Sequence, residues 1–151
     1  MRSFILLIAS LFCMSSIAGT VANSPIGYWK TVDDISGRVQ SIIKIYETPN
    51  HHVFGKILKT YPKPGDVPLK ICSACKDERH NQPIIGLVFM TDLKPNDNNR
   101  WSGGEIIDPK TGKIYKCSIK PSDDNQKLTV RGYIGIPLFG RTQTWIRTTA
   151  I

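Results

Sequence analysis

Three cysteines and one histidine carry the clearest chemical signal in this sequence. Cys72 and Cys75 are separated by two residues, His80 follows in the same segment, and Cys117 lies further along the chain. Thiolates and an imidazole together can bind zinc in a tetrahedral arrangement. In an exported protein, however, cysteines form disulfides, and a second Cys-x-x-Cys motif is absent. The pattern therefore favours a structural disulfide between two of the three cysteines over a zinc site, and it leaves open which two cysteines pair.

A second group of candidate residues lies near the C-terminus. Arg131 and Tyr133 precede a short glycine-bounded segment, and Arg141 and Gln143 follow it. If the chain folds back through that segment, the four side chains lie near one another, and two guanidinium groups can bind a carboxylate or a phosphate. The alternative is a structural role, in which the arginines form salt bridges or cap backbone groups. We predict these four residues as a ligand-binding set.

The sequence contains no arrangement typical of a catalytic centre. There is no Gly-x-Ser-x-Gly motif, no phosphate-binding loop and no convincing pairing of a cysteine with a histidine. Glu105 and Asp108 point to opposite faces of a regular strand, so they do not predict a carboxylate pair. We therefore predict no catalytic residues and no cofactor, and we interpret the chain as a binding protein, with an enzyme of unidentified type as a distant alternative.

The first residues predict export. Arg2 is followed by an almost wholly apolar run over residues 4–17 and then by small residues up to Ala22, which is the pattern of a secretory signal peptide. The run is too short for a comfortable bilayer span. We expect a signal peptide at 1–22, one domain at 23–151 with no transmembrane span, and a location in the periplasm or, alternatively, outside the cell.

The charge of the chain suggests a class of partner. The formal net charge is +8, and the 20 lysines and arginines are spread through the sequence. The scatter argues against a nucleic-acid-binding tail, and an exported protein rarely meets nucleic acid. Solvated basic surface is the simplest interpretation, and attraction to an anionic envelope surface is the alternative.

Alternating apolar and polar residues, with turn residues between the runs, predict eight short strands. Strands with one apolar and one solvent-exposed face fit an eight-stranded antiparallel up-and-down barrel, which buries the apolar faces inside and leaves no exposed strand edge. A proline-rich segment at 62–83 interrupts the pattern as one long cysteine-containing loop. The predicted strands are 26–32, 38–47, 51–60, 84–92, 101–108, 113–120, 126–134 and 141–148.

The two ends of the domain are expected to close the barrel. Gly27 and Trp29 lie on the first strand, and Trp145 and Arg147 lie on the same face of the last strand. A guanidinium stacked on an indole would seal the seam where these strands meet.

Short motifs occur in order along nearly all of the expected mature chain. They are Gly27-Tyr28-Trp29-Lys30-Thr31, Gly55-Lys56-Ile57, Cys72-x-x-Cys75, Ile85-Gly86-Leu87, Trp101-x-Gly103-Gly104, Asp108-Pro109-x-x-Gly112-Lys113, Arg131-Gly132-Tyr133-Ile134-Gly135 and Gly140-Arg141-Thr142-Gln143-Thr144-Trp145-x-Arg147. These motifs resemble an exported bacterial domain-of-unknown-function family, family 2147. The resemblance implies a small exported barrel similar to lipocalins, and the Gly-x-Trp start with the terminal arginine separately resembles the lipocalin and calycin signature.

Two functions remain for such a barrel. An eight-stranded barrel is either filled by side chains or holds one small ligand, and we expect Gly103, Gly132 and Ser118 among the inward positions. The leading prediction is a barrel that binds a small hydrophobic or amphipathic, lipid-like ligand. The alternative is a packed module that binds an envelope protein through the 62–83 loop and the apolar tip at 136–139.

Overall fold

A computed structural model describes residues 23–150, and these form eight β-strands without a helix. The predicted signal peptide at 1–22 lies outside the described residues. Within them, no helix is long and apolar enough to cross a membrane. The strands are β1 Gly27–Val32, β2 Val39–Glu47, β3 Val53–Thr60, β4 Val88–Asn96, β5 Arg100–Ile107, β6 Ile114–Pro121, β7 Lys127–Tyr133 and β8 Gly140–Thr148.

The eight strands form a closed antiparallel barrel in sequence order, which confirms the predicted fold class. Each strand pairs with its neighbours in the chain, and β1 pairs with β8 to complete the ring. In this closing pair Trp29 is directly opposite Arg147. Because the ring is complete, no strand presents a free edge along which another chain could add.

β4 differs most from its predicted bounds of 84–92, by four residues at each end. It begins at Val88 and not at residue 84, because the chain bends through Gly86, whose φ is +90°. The Gly86 backbone N–H donates to the Ile57 carbonyl at 2.7 Å, so this stretch runs beside β3 without joining the ladder as a regular strand. The loop between β3 and β4 therefore spans 61–87, longer than the predicted 62–83.

The core lies inside the barrel, where alternate residues of every strand meet, but two of the predicted inward positions are wrong. A bulge between Trp101 and Gly104 turns Gly103 outward, with a φ of +79°. Ser118 lies between the buried Cys117 and Ile119 on their strand, so its side chain faces away from the core. The buried core includes Trp29, Ile43, Ile45, Val53, Met90, Leu93, Ile107, Cys117, Ile119, Leu128 and Trp145.

Arg147 fills one end of the barrel. Its guanidinium carbon lies 4.1 Å from the centroid of the Trp29 ring. The same group donates to the carbonyls of Ser24 at 2.7 Å and Ile26 at 3.0 Å, so it ties the segment before β1 across the barrel end. The Trp29 indole N–H donates to the Pro25 carbonyl at 2.8 Å. The turns after β2, β4 and β6 lie at this end of the barrel, which is called the closed end below.

Candidate ligand-binding site

A cavity of about 780 Å³ opens at the other end of the barrel. The chain turns at this end between β1 and β2, β3 and β4, β5 and β6, and β7 and β8, because successive strands run in opposite directions. These four loops, residues 33–38, 61–87, 108–113 and 134–139, surround the opening and are called the mouth loops. The seal at the closed end and the opening here make the barrel a cup with one entrance.

The depth of the cavity is apolar. Ile43, Ile57 and Phe89 line it from one side, and Val130 and Trp145 line it from the other. All five are buried in the barrel core. A wall of this kind favours the apolar part of a ligand, because each Å² of apolar surface removed from water contributes about 25 cal/mol to the free energy of binding.

Gly132 widens the cavity at the level of these residues. A Cβ placed on it would be 3.6 Å from Tyr115 Cβ and 3.7 Å from Ile106 Cγ2, which are ordinary contact distances. Alanine would therefore fit at this position, whereas a longer side chain would extend into the cavity that Gly132 lines.

Hydrogen-bonding groups occupy the upper part of the wall. The hydroxyls of Thr31 and Ser41 satisfy each other at 2.6 Å. Gln143 accepts from the Trp145 indole N–H at 3.3 Å through its side-chain oxygen. Its amide nitrogen donates to no other residue in the described part of the chain, so this group is available to a ligand.

Four cationic side chains line the mouth, and they differ in what they bind. Arg141 forms an ion pair with Asp34 at 2.6 Å. Arg38 donates to the carbonyls of Tyr61 and Pro62 at 3.3 and 3.0 Å. Lys63 and Lys110, the other two, form no ion pair with any carboxylate in the region 23–150.

Two of the three carboxylates that line the cavity are engaged in turns. The Ser36 backbone N–H donates to Asp33 at 2.8 Å, and this hydrogen bond, with that of the Ser36 hydroxyl, lowers the pKa of the Asp33 carboxyl. Asp108 accepts from the Lys110 backbone N–H at 2.9 Å and from the Thr111 hydroxyl at 3.1 Å. The third, Asp66, forms no ion pair within residues 23–150, so the two lysine ammonium groups outnumber the one unengaged carboxylate of the lining.

The predicted ligand-binding set divides into two groups in the structure. Tyr133, Arg141 and Gln143 line the cavity. Arg131 does not, and its guanidinium donates to the Pro137 carbonyl at 2.7 Å and to the Thr142 hydroxyl at 2.7 Å. Arg131 therefore has the backbone-capping role given as the alternative, and ligand binding by the other three stays a prediction.

Sequence reasoning missed the cationic residues of the other mouth loops, namely Arg38, Lys63 and Lys110. The signal that could have identified them is topological: in an up-and-down barrel the loops after odd-numbered strands share one end. Once the strands were assigned, these three residues could have been grouped with Arg141.

The long β3–β4 loop forms one side of the mouth and contains the disulfide. Cys72 pairs with Cys75, which leaves Cys117 as a buried thiol whose pKa burial raises to about 12. The alternative zinc set is incompatible with this bond, since two of its four thiolate and imidazole ligands are oxidised, and His80 Nδ1 instead lies 2.8 Å from the Cys75 carbonyl oxygen. The Cys72–Cys75 turn packs on the β5–β6 turn, where a Cβ at Gly112 would collide with the Ala74 carbonyl.

Comparisons with known proteins found a matching family model and a solved structure of similar fold. A model of the family described as "Uncharacterized protein conserved in bacteria (DUF2147)" matches residues 27–147. Among solved structures, the chain is similar to protein HP1028 from the human pathogen Helicobacter pylori, which is described as belonging to the lipocalin family. The two chains share 18% identity over 82% of each, with a TM-score of 0.68, which supports likeness of fold. No curated protein matches the chain.

Proposed function

The chain belongs to the DUF2147 family of proteins conserved in bacteria, and we propose that its barrel binds one small amphipathic molecule, with the apolar part in the cavity and an acidic group at the mouth. The observation that carries the proposal is the cavity of about 780 Å³, closed at one end and open at the other. Pockets that enclose small ligands measure about 300–1,000 Å³. In this proposal the protein binds a ligand and catalyses no reaction.

The acidic group is proposed because of the charges at the mouth. Lys63 and Lys110 form no ion pair among the described residues, and the Gln143 amide nitrogen has a hydrogen bond to donate. An ammonium group near a carboxylate or phosphate in a partly desolvated mouth forms a charge-assisted hydrogen bond. A ligand with an apolar tail and a carboxylate head matches both regions of the site.

We also propose that the protein acts after export. The leader pattern at 1–22 supports this location, and the Cys72–Cys75 disulfide is of the kind that persists in oxidising compartments. The alternative module with a packed interior is disfavoured by the open cavity, although its two contact segments, the long loop and the 136–139 tip, both lie at the mouth.

Titration with a fluorescent fatty acid tests the proposal. Wild type should bind the probe, and Gly132→Leu should weaken binding roughly tenfold, equivalent to about 1.4 kcal/mol, because its side chain enters the cavity. Gly132→Ala is the matched control and should bind like wild type, since its Cβ meets its neighbours at ordinary distances. Absence of binding by the folded wild type, or equal binding by all three proteins, would overturn the proposal.

The position of the acidic group is tested by comparing a fatty acid with the fatty alcohol of the same chain length. Replacement of Lys63 and Lys110 by glutamine should weaken binding of the acid severalfold and leave that of the alcohol unchanged. Equal effects on both ligands would refute the assignment of the acidic group to the mouth. Native mass spectrometry of protein purified from its own host would then show the mass of the natural ligand.

A further inference from the structure

Large apolar side chains are exposed on three of the mouth loops. Ile35 is 98% exposed in the β1–β2 loop and Val67 is 93% exposed in the β3–β4 loop, and four more residues in the β7–β8 loop are at least half exposed. We call these six residues the apolar rim. They are Ile35, Val67, Ile134, Ile136, Leu138 and Phe139.

The apolar rim continues into the cavity. Val67, Ile134 and Phe139 belong to the rim and also line the cavity wall. An apolar path therefore leads from the outer surface of the loops to the floor of the barrel. The β7–β8 part of the rim is held in place, because the Arg131 guanidinium donates to the Pro137 carbonyl at 2.7 Å.

The turns at the closed end of the barrel are polar and acidic. The turns at 48–52, 97–99 and 122–126 expose no large apolar side chain within the described structure. They contain three carboxylates, Asp97, Asp123 and Asp124, and no lysine or arginine. The mouth loops contain seven lysines and arginines and six aspartates and glutamates, and Lys63, Lys70 and Lys110 among them form no ion pair in residues 23–150. The closed-end turns are thus acidic and the mouth loops slightly basic, and the exposed apolar groups of the apolar rim lie at the mouth.

We propose that the apolar rim docks on the surface of an anionic lipid bilayer, with the mouth facing the membrane. Exposed apolar residues next to lysines are the combination that binds at the interface of an anionic membrane, where the apolar side chains enter the headgroup region and the lysines are attracted to the anionic lipids. The docking surface follows from the rim and the charges. The transfer of a ligand between bilayer and cavity through the mouth rests, in addition, on the function proposed above.

A membrane fits this surface better than a protein partner does. The rim residues come from three separate loops around an opening, so they form a discontinuous ring of protruding tips. A bilayer accommodates such tips without a matching shape, whereas a protein interface requires close complementarity over the whole patch.

Sedimentation with lipid vesicles tests the docking. Wild type should bind vesicles of equal parts phosphatidylcholine and phosphatidylglycerol, bind vesicles of phosphatidylcholine much less, and be released by salt. Ile136→Ser with Leu138→Ser should reduce partitioning roughly tenfold. Neither residue lines the cavity, so binding of the fatty-acid probe in solution should not change.

Matched control variants distinguish docking through the apolar rim from nonspecific hydrophobic or electrostatic binding to the vesicles. Ile85→Ser removes a side chain as exposed as Ile136 (55% and 53%) from the last part of the β3–β4 loop, which runs beside β3 and does not line the cavity, so it should not affect docking. Lys70→Glu with Lys113→Glu, which lie at the mouth but outside the cavity, should weaken docking. The same reversal at Lys120 and Lys127, two exposed lysines away from the mouth, should have a smaller effect.

The outcomes distinguish the two proposals. If wild type binds neither kind of vesicle, or if the rim variant binds as well as wild type, the docking proposal is refuted. If vesicles are bound but no ligand enters the cavity in solution, docking stands and the proposed function fails.

Discussion

Arg147→Met offers a quantitative test of how the closed end is held together. The guanidinium stacks on Trp29 and donates to four acceptors, which are the carbonyls of Ser24, Ile26 and Asn125 and the side-chain oxygen of Asn125, at 2.5 to 3.0 Å. The cation–π contact is worth about 1 kcal/mol in a partly desolvated site. Hydrogen bonds from a charged donor contribute roughly 1.5–3 kcal/mol each in isolation, but their effects are not additive, and water can replace some partners.

Together these contacts suggest a loss of about 3 kcal/mol in the free energy of unfolding for Arg147→Met. The measurement is urea denaturation followed by tryptophan fluorescence, and the same loss should lower Tm by roughly 10 °C. Because the cavity lies at the opposite end of the barrel from Arg147, folded Arg147→Met protein should bind the fatty-acid probe as wild type does.

Arg141→Met is the matched control for this test. Arg141 is 73% exposed in its side chain and makes one ion pair, with Asp34. An exposed pair of this kind is worth about 0–1 kcal/mol. If Arg147→Met costs less than about 1 kcal/mol, or no more than Arg141→Met, then the stacked arginine is not what holds the closed end.

Two further predictions concern the loops. Gly112→Ala should destabilise the protein more than Gly37→Ala in thermal melts: both glycines have positive φ (+71° and +67°), but a Cβ at Gly112 would strike a carbonyl of the β3–β4 loop, whereas nothing lies within 4 Å at Gly37. Equal decreases in Tm for the two variants would mean that the positive φ of each glycine, and not the collision with the carbonyl, determines the loss of stability. The Arg79 side chain hydrogen-bonds to Asp77 and lowers the pKa of its carboxyl from 3.8 to about 2, so this pair stabilises the fold fully above pH 3.8 and loses its contribution as the pH falls toward 2. Asp77→Asn should therefore make stability less steeply dependent on pH in that interval, and an unchanged pH profile in acid denaturation would contradict the assignment.

The barrel could be predicted from the sequence because local and global signals agree. Alternation on β6 and β7 and the turn residues between strands fix each hairpin, and a ring of eight such strands must join its first and last members. Trp29 and Arg147 are the residues at that junction. Strand order therefore followed from short-range patterns, which are the most readable part of a sequence.

The parts that were not predicted depend on contacts between distant segments or on one-residue irregularities. The bulge between Trp101 and Gly104 shifts which residues of β5 face the core, and periodicity alone does not reveal an extra residue. The choice of Cys75 over Cys117 as the partner of Cys72 depends on how the long loop folds on the barrel. Membership of the cavity wall likewise depends on which loops meet at the mouth, and Arg38, Lys63 and Lys110 were missed for that reason.

The disulfide joins residues only three apart in sequence. The stabilisation that a cross-link gives by restricting the unfolded chain grows with the length of the loop it closes, so a ring this small contributes little to global stability. Both half-cystines pack in the buried core, but the bond joins no two strands, so the ladders of the barrel do not depend on it. Reduction of the pair is therefore expected to loosen the 72–75 turn and its packing on the β5–β6 turn while the barrel stays folded.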